Sequence, residues 1–147
     1  MALKRVIKLL GEPIQTEFDE AGAAITPGML LSYDGSGNLV PHASAGGASA
    51  RQYAMHREEG TGATLGKTDI DAAYAVGDTV KVGAFAPGCQ VNVLIPSGQT
   101  ITKGNFLESN GNGMLKVFSA GVRQAYAEET VNNSAGPGSA RLRVTIV

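Results

Sequence analysis

A seventeen-residue stretch occurs twice in this chain. Ile25 to Pro41 reads Ile-Thr-Pro-Gly-Met-Leu-Leu-Ser-Tyr-Asp-Gly-Ser-Gly-Asn-Leu-Val-Pro, and Ile101 to Val117 reads Ile-Thr-Lys-Gly-Asn-Phe-Leu-Glu-Ser-Asn-Gly-Asn-Gly-Met-Leu-Lys-Val. The two align without a gap and share Ile25/Ile101, Thr26/Thr102, Gly28/Gly104, Leu31/Leu107, Gly35/Gly111, Gly37/Gly113 and Leu39/Leu115. The identities fall on turn glycines and apolar anchors, not on reactive side chains. Such a repeat specifies a shape. Asp34-Gly35 and Asn110-Gly111 supply the positive φ angles of tight hairpins, so each copy reads as strand, turn and return strand. The likeness continues into Arg51-Gln52-Tyr53-Ala54 and, with one inserted residue, Arg123-Gln124-Ala125-Tyr126-Ala127. Each unit is therefore expected to have a third strand.

The rest of the chain also has a period of two. Val80, Val82 and Ala84 alternate with Thr79, Lys81 and Gly83, and Cys89, Val91, Val93 and Ile95 alternate with Gln90, Asn92 and Leu94. Phe85-Ala86-Pro87-Gly88 lies between them and predicts a type II turn closing a hairpin. Leu142, Val144 and Ile146 face one way in a closing strand, with Arg141, Arg143 and Thr145 on the other side. Gly contributes 20 of 147 residues, far above the usual share of about 7%. Trp is absent. These features predict an all-β, mainly β chain: a compact β-barrel or β-sandwich-like domain with an internal hairpin repeat, spanning 25–147. That length supports one hydrophobic core without staples.

Residues 1–24 are the least domain-like. Leu3, Val6, Ile7 and Leu10 fall at helical spacing, with Lys4, Arg5 and Lys8 opposite. Gly11 and Pro13 would end such a turn. So short a helix needs something to lie against. It is either packed on its own domain, as an edge strand or helix, or an extended arm docking on another subunit. Glu12, Glu17, Asp19 and Glu20 around Phe18 read as a solvated tether.

Reactive chemistry is sparse. Gly60-Thr61-Gly62-Ala63-Thr64-Leu65-Gly66-Lys67-Thr68 imitates a phosphate-binding loop, but Thr61 stands where the first Gly is needed and no buried strand precedes it. His42 and His56 lack metal-ligand spacing and read as exposed loop residues. Cys89 is the single cysteine, so an intrachain disulfide and a multi-cysteine metal site are excluded, and its apolar strand face predicts a buried small side chain. Ser97, Ser109, Ser119 and Ser139 lack a nucleophile-elbow motif. A net charge of −1 provides no basic field for nucleic acid. No signal peptide is recognised, and no apolar run reaches the roughly 18 residues of a membrane-spanning helix. The expectation is no enzyme, no cofactor, no metal, no direct nucleic-acid partner and no membrane partner.

Four segments in this order resemble the head-decoration, or cement, proteins of tailed bacteriophages. They are Ile25–Leu30 leading to Gly37–Pro41, Tyr74–Val82, Gly98–Ser109 with its Gly111-Asn112-Gly113 turn, and Arg141–Val147. The resemblance covers most of 25–147. It implies a β-rich, barrel-like body that forms homotrimers on the outside of an expanded icosahedral capsid. There it clamps neighbouring capsomers of the major capsid protein against the pressure of packaged DNA. It further implies manufacture in a host bacterial cytoplasm and residence in the virion. In a well-known relative of this family an N-terminal arm pairs with the major capsid protein, and the resemblance carried over to residues 1–24 implies Leu3, Lys4, Arg5, Val6, Ile7, Lys8 and Leu10 as the candidate capsid-binding residues. Two alternatives remain: another virion component, such as a tail or head-joining β protein, and a small β-barrel enzyme or ligand-binding domain. A deep pocket with convergent polar groups would mark the latter.

Overall fold

Gly28 and Gly104 open the two halves of the molecule with the same backbone conformation, φ +93° and +92°. In the computed structural model, which describes residues 6–13, 15–56 and 69–147, all regular structure other than a single 3-10 turn at Asp69–Asp71 is β. The strands are β1 (Lys8–Leu10), β2 (Gln15–Glu20), β3 (Leu31–Tyr33), β4 (Leu39–Pro41), β5 (Gln52–Ala54), β6 (Thr79–Ala84), β7 (Gln90–Ile95), β8 (Thr100–Ile101), β9 (Phe106–Ser109), β10 (Leu115–Val117), β11 (Ala125–Ala127), β12 (Val131–Asn132) and β13 (Ala140–Ile146). They form several antiparallel sheets, none closed into a barrel, and the body is sandwich-like.

The repeat runs further than the hairpins. In the first unit β2, β6 and β5 pair side by side, and an isolated bridge between Leu30 and Tyr53 attaches the β3–β4 hairpin. In the second unit the order β7-β13-β11-β9-β10 has the same connectivity, with Phe106 opposite Tyr126 at the equivalent bridge. Backbone hydrogen bonds correspond one for one. Gly28 N donates to Ala54 O as Gly104 N does to Ala127 O, each at 2.8 Å. Asp34 N donates to Asn38 O as Asn110 N does to Met114 O, each at 2.9 Å. His42 N donates to Leu30 O as Phe118 N does to Phe106 O, each at 2.8 Å. Glycine and turn residues set this framework, because the left-handed φ they allow costs other residues roughly 1–2 kcal/mol.

Each unit fills its interior with the same positions. Ile25, Leu31, Leu39, Ala54 and Val82 form one buried cluster, and their counterparts Ile101, Leu107, Leu115, Ala127 and Val144 belong to the other. The second cluster also takes in residues from the outer face of the first unit, Leu30, Tyr53, Met55 and Phe85, together with Ile7 and Ile70. That shared layer cements the two units. Arg141 crosses it: its side chain is 11% exposed, and Nη1 and Nη2 donate to Pro27 O at 2.8 Å and Ile70 O at 2.5 Å.

Several expectations change. Cys89 N donates to Ala86 O at 3.2 Å and Gly88 has φ +96°, so the Pro-Gly turn is present. It does not close a hairpin. β6 and β7 lie in different sheets, β6 between β2 and β5 and β7 between β1 and β13, and 85–88 is the link between units. The N-terminal stripe is not helical where it is described. Lys8–Leu10 pairs with β7, whose backbone donors and acceptors outweigh the marginal stability of so short a helix. The acidic stretch expected to be a tether within 1–24 is β2, paired with β6 over six residues, and its Glu17 and Asp19 accept from the Tyr33 hydroxyl at 3.2 and 2.7 Å. The loop His42–Ala50 packs on the second unit through Gly46, Gly47 and Ser49. The phosphate-loop look-alike at 60–68 lies outside the described residues.

Candidate functional site

Several buried polar groups are occupied with holding the fold, while the Tyr53 hydroxyl and Asn92 Oδ1 have no hydrogen-bond partner among the described residues. His42 is 4% exposed, not a loop histidine in solvent. Its Nδ1 lies 2.7 Å from Ser109 Oγ and its Nε2 2.9 Å from Ala48 O. A carbonyl at Nε2 requires a proton there, so the neutral ring accepts the Ser109 hydroxyl at Nδ1. Serine beside histidine has the outline of an activated nucleophile, but Ser109 is fully buried and also receives Gly111 N–H at 3.2 Å. The pair joins the first unit to the second. Cys89 is buried in the core, with its Sγ 3.7 Å from Glu12 O, as its strand face predicted. A cleft of about 290 Å³ beside β3 and β5 includes His42 and Ser49, whose polar atoms already bond within the protein.

Glu108 is the most strongly perturbed acid, at 2% exposure. Burial by itself would raise its carboxyl. Gly121 N–H at 2.7 Å, Ser119 Oγ–H at 2.9 Å and Ala120 N–H at 3.3 Å outweigh that and hold it at about 2. Lys116 Nζ stands 3.5 Å away. The carboxylate thus ties the loop after β10 to β9. A folded-state value below the model value of 4.5 means stability that is present above pH 4.5 and lost as pH falls through about 2. Glu108→Gln should flatten the loss of melting temperature between neutral and strongly acidic pH; an unchanged acid limb would show that Glu108 is not responsible.

What remains for function is the surface. Of the candidate capsid-binding residues, Leu3, Lys4 and Arg5 lie outside the described residues. Val6 is 42% and Leu10 57% exposed. Ile7 is not available for docking, because it is fully buried in the shared core. Lys8 is half-buried and its Nζ reaches both oxygens of Glu12 at 2.8 Å. A shift of register between Lys8 and Leu10 brings Leu9, which helical spacing passes over, to the surface at 38% exposure. β1 is therefore an edge strand bordered by Val6, Leu9 and Leu10. It is held by Asn92, whose N–H donates to Ile7 O at 2.8 Å and whose Nδ2 donates to Val6 O at 2.7 Å.

A second exposed group was not singled out in the sequence. Arg123 lies over the rings of Phe106 and Phe118, 4.3 and 4.9 Å from their centroids. Tyr126 meets Phe106 edge-on at 6.3 Å. Arg, Tyr and Phe held rigidly in one patch are the residue types that carry interface energy. The repeat itself was the available signal, since Phe106, Phe118 and Tyr126 stand where the first unit has Leu30, His42 and Tyr53. No family model and no curated protein matches this sequence.

Proposed function

We propose that this protein is a structural component of a tailed-phage virion, a decoration protein that binds the exterior of the expanded capsid as trimers and clamps neighbouring capsomers. The observation that carries the reading is β1, an edge strand outside the duplicated body, with Val6, Leu9 and Leu10 exposed along it. An edge strand offers unpaired backbone groups for strand addition, and its apolar rim adds contact area. Each contact can be weak, because a trimer presents three at once.

Purified protein should bind expanded, undecorated capsids in multiples of three and leave unexpanded procapsids bare. Lone or paired copies on the shell, or equal binding to both particles, would refute the reading. Deleting the first residues outright is a poor test, since it removes Ile7 from the core. The better variant is Val6→Asp with Leu10→Asp. It should leave the melting temperature within a few degrees and weaken shell binding by roughly 10-fold, as loss of about 1–2 kcal/mol of interface contact does.

A further inference from the structure

We infer that copies of this protein associate head to tail. The hairpin tip of the first unit, residues 34–37, seats on the Phe106–Phe118–Arg123 face of a neighbouring copy's second unit. The inference stands on the internal repeat and concerns only contact between copies, so it does not depend on the capsid reading.

Inside one chain the two units already make such a contact, in one direction only. The tip of the second unit packs on the first. Leu30 N donates to Gly113 O at 2.8 Å, and Gly113 N donates to His42 O at 3.1 Å. The fit is close: a Cβ on Gly113 would stand 3.0 Å from Pro41 Cβ and 3.1 Å from Met29 Cβ, and one on Gly111 would stand 3.2 Å from Ala45 Cβ. The face that receives this tip is sealed, with Leu30 and Tyr53 fully buried and His42 nearly so.

Among the described residues the reciprocal contact is missing. Gly35 and Gly37, the counterparts of Gly111 and Gly113, have nothing within 4 Å of a built Cβ. The counterpart face on the second unit is open around Phe106, which is 38% exposed, with Phe118 and Tyr126 half-buried, while its Gly121 side is covered by Gly46 of the same chain. Among the described residues a free tip and the open Phe106 part of a seat remain, each the repeat-equivalent of a half already joined. A second copy supplies what is absent. The new contact would continue the established one, with Phe106 in the role of Leu30 and Gly37 in the role of Gly113.

Charge supports the match. Asp34 sits in the tip, and Glu17 and Asp19 gather beside it on the Tyr33 hydroxyl. The seat presents the exposed cation of Arg123. Opposite charges set the orientation of docking more than its strength. A contact that uses different patches on its two sides is heterologous, so it closes into a ring or continues as a filament.

The test uses the full chain with Cys89 left in place, since it is buried. Ser36→Cys marks the tip and Ala120→Cys the seat; both positions are exposed, and they correspond to Asn112 and Ser44 across the repeat. Mixed and oxidised, the two variants should give a disulfide-linked dimer containing one of each. Neither should cross-link alone. In sedimentation, Phe106→Glu with Arg123→Glu should weaken self-association by roughly 10-fold or more. Ser36→Cys linking to itself, a single 15.1 kDa species at every concentration, or association unaffected by the double variant would each overturn the inference.

Discussion

Gly28→Ala should destabilise the protein severely, whereas Gly104→Ala should not. The two glycines hold repeat-equivalent positions, differ by one degree in φ and donate equivalent 2.8 Å hydrogen bonds. In both, a side chain meets the left-handed strain of roughly 1–2 kcal/mol. Their surroundings differ. A Cβ on Gly104 has nothing within 4 Å. On Gly28 it would stand 2.6 Å from Arg141 Nη1 and 2.7 Å from the backbone oxygen of Asn92. The carbonyl belongs to β7 and cannot rotate away. The guanidinium would have to surrender its bond to Pro27. Adding overpacking of about 1–3 kcal/mol to the strain gives an expected loss of roughly 2–5 kcal/mol, or about 10 °C in melting temperature. Denaturant unfolding of the two variants side by side checks this. Equal losses would mean that the contact between units is not what Gly28 serves.

Arg141→Ala should cost roughly 2–4 kcal/mol, and Arg143→Ala within about 0.5 kcal/mol. The two arginines alternate on one strand and read from sequence as the same solvent-facing row. Arg143 is exposed. Arg141 is covered by the first unit and donates to two carbonyls, Pro27 O and Ile70 O, with Asp71 3.7 Å from its Nη2. Burial lowers its pKa, partly offset by Asp71, so its charge is tolerated only because those acceptors surround it. Truncation leaves both carbonyls without that donor. Arg141→Lys should recover only part of the loss, since one ammonium cannot reproduce a planar fork aimed at two separated oxygens. Equal melting temperatures for the Arg141→Ala and Arg143→Ala variants would place the cement elsewhere.

Local signals carried much of the fold. Alternation in 79–84, 90–95 and 140–146 foretold β6, β7 and β13, because successive side chains of a strand point to opposite faces, although β7 is buried on both faces, with Asn92 and Leu94 also covered. Asp34-Gly35 and Asn110-Gly111 marked both hairpins correctly, but the left-handed backbone of the first falls on Gly37 and not on Asp34-Gly35, while the second uses Gly111 and Gly113. The readings that changed involved partners distant in sequence. The 85–88 turn was legible as a turn, but which sheet each flanking strand would join was not. Leu3, Val6, Ile7 and Leu10 carry helical spacing, and only the open edge of β7 draws Lys8–Leu10 into a strand and Ile7 into the core. The repeat marks Phe106 and Tyr126 as counterparts of Leu30 and Tyr53, but not as exposed, because they look like core residues until their neighbours are known.

The sequence by itself determined two copies of one hairpin-based unit, since glycines and apolar anchors at fixed spacing act through local backbone sterics and strand periodicity. Only the tertiary structure decided that the copies are unequal. When the second unit's tip docks on the first, Leu30, His42 and Tyr53 go into the interior, while Phe106, Phe118 and Tyr126 keep the solvent-facing version of the same positions. The physical reason is that burial belongs to a pair of surfaces: a residue is removed from water only when another part of the chain arrives to cover it.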